Sequence, residues 1–182
     1  MNILLSAMLV LSMGWEPGQK TYDMEIGSPQ NRAWSYEDFS FPTKQLALFT
    51  LDKQQAVVKP QGLTLVFIWS VDVGGDARTW SQTESIGQRF APDLATIWIN
   101  HENAVNFSGQ REKVGRFFAA KTKPKHLFLD PMGSVVEHLK VPSFPSYLLV
   151  DAHGSVVFRA NAANPEAVAM LEGEIRNLMR KE

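Results

Sequence analysis

Residues Leu63-Thr-Leu-Val-Phe-Ile-Trp69 form a nearly unbroken apolar run rich in strand-favouring side chains. A short run without alternation predicts a strand covered on both faces, and therefore a sheet held between other layers. Directly after it comes Ser70-Val-Asp-Val-Gly-Gly-Asp76, a turn that leads into a helix. Asp76 suits the helix start, because its carboxylate can accept orphan backbone N–H groups. Ala77, Trp80, Ile86 and Phe90 recur at roughly helical spacing and predict the inner face, with Gly87 weakening the helix.

Further elements follow by the same reasoning. Leu46 to Leu51 predicts a short strand, Lys53-Gln54-Gln55 a turn and Ala56 to Val58 a second short strand. Leu94 to Ile99 predicts another buried strand. Ser108 or Gly109 opens a helix to about Lys121, with Val114, Phe117 and Phe118 inward. His126 to Leu129 is a short strand, and Pro131-Met-Gly133 a turn. Ser146 to Val150 and Ser155 to Phe158 are strands joined by a tight hairpin at Asp151-Ala-His-Gly154. For the last helix, Asn164 caps, Pro165 takes the first helical position, and Val168, Leu171, Ile175 and Leu178 form one face. The alternation predicts an α/β layer with a mostly parallel sheet closed by an antiparallel hairpin.

Two flanking segments precede this pattern. Ile3 to Met13 is apolar but shorter than the roughly 20 residues of a bilayer crossing. It has the length of a signal-peptide core, although no Lys or Arg precedes it, so residues 1–14 are expected to be an export signal or a membrane-associated start. The alternative is a buried apolar N-terminus. Residues 15–45 are polar and weakly periodic with embedded aromatics, which predicts an extended arm. Net charge is −1 with scattered Lys and Arg, so no nucleic-acid partner is expected. The one basic cluster, Lys121-Thr-Lys-Pro-Lys125, reads as a solvated helix end.

The strand, helix and hairpin pieces resemble the thioredoxin-like fold, in its TlpA/ResA branch of exported thiol reductases. Phe49-Thr-Leu-Asp52 through Leu63–Trp69 is similar to the branch's "FTL…G…LVNFW". Leu127-Phe-Leu-Asp-Pro-Met-Gly-Ser-Val135 is similar to its "LLDPDGxV" insert. Val141-Pro-Ser-Phe-Pro-Ser-Tyr-Leu-Leu-Val-Asp151, then Gly154, is similar to "VxGxPTTFLIDxxG". The match covers about residues 46–182. It implies a central mixed sheet flanked by helices, and makes Pro145 the cis-proline facing the active turn. Where relatives carry Cys-x-x-Cys, this chain reads Val73-Gly74-Gly75-Asp76, and it has no cysteine anywhere. Thiol exchange needs a thiolate nucleophile, so the family's reaction does not carry over.

Other chemistry finds little support in the residues. Asp72 and Asp76 flank the Gly-Gly pair, but two carboxylates are too few for a hard-cation site. The plainer reading is a helix cap at Asp76 and a solvated Asp72. His101, His126, His138 and His153 share no ligand spacing, and without thiolates no soft metal is expected. Ser70 and Ser143 lack an evident base. No cofactor and no metal are therefore expected. What the resemblance leaves is a groove lined by Val73, Gly74, Gly75, Asp76, Phe144 and Pro145, where relatives hold extended peptides. Trp34, Tyr36, Phe39 and Phe41 of the arm either anchor a protein partner or cover the domain's own sheet. The expected function is a redox-inactive protein-binding module, not an enzyme, on the periplasmic or membrane-associated exported side and part of a larger assembly. A factor that holds client proteins, or an enzyme using Asp72 and Asp76, are the alternatives.

Overall fold

The computed structural model describes residues 21–23, 48–59, 62–73, 77–103, 106–151 and 155–180. The expectations for Trp34, Tyr36, Phe39, Phe41, Gly74, Gly75, Asp76, His153 and residues 1–14 lie outside them. The elements are β1 (Thr21–Asp23), β2 (Leu48–Phe49), β3 (Gln55–Lys59), β4 (Leu63–Trp69), α1 (Ala77–Arg89), β5 (Leu94–Asn100), α2 (Phe107–Phe117), β6 (Leu127–Leu129), α3 (Ser134–His138), β7 (Ser146–Val150), β8 (Val156–Asn161) and α4 (Ala167–Met179).

One mixed sheet has the order β1-β3-β2-β6-β5-β4-β7-β8. The pairs β1–β3, β4–β5 and β5–β6 are parallel and the others antiparallel, so the sheet is mixed where alternation alone predicted mostly parallel. The short strand β2 joins antiparallel to β3 on one side and to β6 on the other, which local periodicity could not anticipate. β1, from the arm, pairs with β3 as an edge strand.

Every residue of β4 is buried, as its unbroken apolar run required. Its odd positions, Leu65, Phe67 and Trp69, face a core closed by Trp80 and Ile86 of α1, Val114 of α2 and Leu171 and Ile175 of α4. Its even positions, Val66 and Ile68, face a second core with Ile97, Ile99, Phe128, Val135 and Leu139. Rings of Trp69, Trp80, Trp98 and Phe117 stack within the first, with centroids 4.1 Å apart between Trp80 and Trp98.

Several boundaries differ from expectation for identifiable reasons. Ala77 is exposed and Thr79 and Thr83 take the inner face of α1 instead. Burying the Thr83 hydroxyl is tolerable because Thr83 Oγ1 lies 2.8 Å from Thr79 O and 3.1 Å from Tyr147 Oη. α2 starts at Phe107 behind the cap Asn106, whose side chain accepts from Gly109 N, and it stops at Phe117. Lys121 then folds back, 3.6 Å above the Phe117 ring. α4 begins two residues after Pro165, because Asn164 closes a local turn onto Glu166 N at 3.0 Å. α3 was not expected at all.

Gly87 is where α1 touches β5. A Cβ there would lie 2.7 Å from Thr96 Oγ1. Gly87→Ala is therefore expected to destabilise the fold by about 1 kcal/mol. Overpacking at about 1–3 kcal/mol outweighs the roughly 1 kcal/mol of helix propensity gained. Urea denaturation checks this, and in a Thr96→Ala background the same substitution should become neutral or stabilising.

His138, at the end of α3, is held at a pKa of about 4 by burial, against 6.5 for the free side chain. His126 is lowered too, by burial and then by Lys125. The folded state holds neutral imidazole, and the unfolded chain protonates first as pH falls. Stability complete above pH 6.5 should thus be lost progressively down to about pH 4. Because His138 is partly exposed, its share is about 1–2 kcal/mol. Denaturation midpoints at pH 7.5 and pH 4.5 should converge by about that amount in His138→Gln.

Candidate functional site

The carboxyl ends of β4 and β5 and the entry to β7 meet at one end of the central strands, the position where open α/β sheets usually place ligands. Trp69 pairs with Asn100, and Ile68 pairs with Ser146, directly after Pro145. The Phe144–Pro145 bond is cis, as the resemblance implied, and so is Ala91–Pro92. Pro145 is buried, and its carbonyl accepts from Ala162 N at 2.9 Å. Phe144 is half-buried, with its ring 5.7 Å from that of His101. Among the described residues, its backbone N–H and C=O form no hydrogen bond. Val73 stands 49% exposed past the end of β4, and α1 begins four residues later.

Beneath Val73 lies a polar cluster that sequence reasoning missed. Glu102 has a fully buried side chain. Its Oε1 accepts from Val71 N at 2.5 Å and Asn100 Nδ2 at 2.8 Å. Its Oε2 accepts from Ser70 Oγ at 3.0 Å and Lys113 Nζ at 2.8 Å. Gln110 Nε2 donates to Asn100 O at 2.8 Å and to Asn100 Oδ1 at 3.0 Å. Lys113 also pairs with Asp72, so Asp72 is ion-paired and not simply solvated. Asp72 first and Glu102 second hold the Lys113 ammonium above its usual range. One signal was available in the sequence: Gln110 lies one turn before the buried Val114 on the same helix face, and Lys113 lies one turn after Gln110.

This arrangement is structural in its chemistry. Ser70 is buried and faces a carboxylate already matched by Lys113, with no imidazole between them. His101 is half-buried, with Nδ1 2.8 Å from Asp130 O. Among the described residues no group of three or more metal-ligating side chains forms, and no helix is long and apolar enough to cross a membrane.

No family model and no curated protein sequence matches the chain. Solved structures do. The chain is similar to a protein from Chlorobium tepidum assigned as the thiol:disulfide interchange protein DsbE, with TM-score 0.60 and 18% identity over 72% of this chain and 90% of that one. It is similar to the exposed lipoprotein thioredoxin Etrx1 of Streptococcus pneumoniae, with TM-score 0.54 and 15% identity over 70% and 97%. It is also similar to StoA from Bacillus subtilis, with TM-score 0.52 and 17% identity over 70% and 96%. The fold is thioredoxin-like, and the cysteine pair of thiol–disulfide chemistry is missing.

Proposed function

We propose that the chain is a redox-inactive thioredoxin-like module that binds protein, as an accessory subunit of an exported or membrane-associated bacterial assembly. The observation that supports this reading is the open backbone of Phe144, next to the buried cis-Pro145 and at the same end of the central strands as the exposed Val73. An unpaired N–H and C=O beside an apolar rim can take an extended peptide as an added strand. Without a thiol such binding ends in release, not exchange. Export is supported by the apolar start of the chain and by the likeness to an exposed lipoprotein. The aromatic arm supplies a second contact, with Trp34, Tyr36, Phe39 and Phe41 as anchors.

Affinity isolation from native membranes tests the proposal. A stoichiometric partner, lost on deletion of residues 15–42 while the remaining domain stays folded, supports it. Weak, transient capture of many proteins would favour a client-holding factor instead. In an insulin-reduction assay the chain is expected to stay at background, because no side chain can supply the attacking thiolate. Turnover above background would overturn the redox-inactive reading.

A further inference from the structure

Past Ser70, the described residues between β4 and α1 are Val71 to Val73, and two tiers of contact hold this segment. The inner tier is buried: Val71 N on Glu102 Oε1, with Glu102 matched by Lys113 at 2.8 Å. The outer tier is wet: Lys113 on Asp72, whose side chain is 66% exposed, and Asp72 N on Ser70 Oγ at 3.1 Å. Lys113 and the Ser70 hydroxyl, which donates to Glu102 Oε2 at 3.0 Å, belong to both, and Lys113 is the charged link between them. A buried carboxylate with both oxygens satisfied keeps its partners, because leaving them would strand it, whereas an exposed pair contributes little and is screened by salt. The two tiers therefore release separately.

We propose that Lys113 is an ionic latch on this segment: anchored by Glu102, it holds Asp72 against α2, and the segment carrying Val73 lifts when the outer contact is lost while the inner one stays. The latch regulates one wall of the groove and rests on the binding reading for that consequence alone. Its own existence is a property of the free protein.

Residue-resolved amide exchange on the free protein tests it, with rates corrected for intrinsic sequence effects. In Asp72→Asn, the residue 72 amide should exchange about fivefold faster while Val71 stays within twofold of the unmodified protein, the gap expected for loss of an exposed pair alone. In Lys113→Met both amides should accelerate, by tenfold or more, and Lys113→Arg should restore protection. Raising salt to 1 M should speed residue 72 and not Val71. An unchanged residue 72 in Asp72→Asn, or equal acceleration of both amides there, overturns the latch. Because no partner is present, its failure is separate from a failure to find one in membranes.

Discussion

Glu102→Ala is expected to destabilise the domain by about 3 kcal/mol, because it strands hydrogen-bond donors that the buried carboxylate satisfies. Urea unfolding should show a lower midpoint with an unchanged slope. The side chain is fully buried, and its two oxygens accept four bonds. Its removal strands the Val71 amide, the Ser70 hydroxyl and one of the two Asn100 Nδ2 hydrogens, the other reaching Trp69 O at 3.4 Å, and leaves Lys113 with Asp72 as its counter-charge. Each stranded buried donor costs about 1–3 kcal/mol, although relaxation and water entry keep the sum below simple addition. Glu102→Gln should cost about half as much, since one oxygen still accepts while the amide nitrogen faces donors. Against a total stability of about 5–15 kcal/mol, either change should be visible in thermal melts.

The parts of this molecule readable from sequence are those where one local rule suffices. β4 and β7 follow from unbroken apolar runs and fall on Leu63–Trp69 and Ser146–Val150, as expected. The inner face of α4 follows from spacing, with Leu171 and Ile175 buried. What was hidden depends on partners distant in sequence. Glu102 lies 32 residues from Ser70 and 11 from Lys113, and nothing near it marks a buried acid. Gly87 reads as a weak helix residue until Thr96 is placed against it. The cis Phe144–Pro145 bond was legible only through resemblance, because neither it nor the open Phe144 backbone leaves a trace in periodicity.

α3 shows the same dependence, and Asp130→Ala should expose it at a cost of about 2–4 kcal/mol. The helix is five residues long, too short to form on propensity alone. Asp130, buried at the end of β6, organises it from outside: Oδ1 accepts from Ser134 N at 2.9 Å, and Oδ2 from Val135 N at 2.9 Å and Val136 N at 3.2 Å. Removing the carboxylate orphans three amides and loosens Val135 and Leu139, which cover the second core. Far-ultraviolet dichroism would barely register the loss of so short a helix, so the readouts are the unfolding midpoint and amide exchange at residues 134–136. Asp130→Asn should cost less, for two reasons. Its remaining oxygen still accepts, and burial, which raises the Asp130 pKa more than the three amides lower it, no longer penalises a charge. A carboxyl raised in the fold makes its contribution more favourable as pH falls through the folded pKa toward the unfolded 3.8, opposite in sign to His138. Asp130→Asn should therefore steepen the acid loss of stability that His138→Gln flattens, and a variant in which both changes shift the pH profile the same way would refute this assignment of signs.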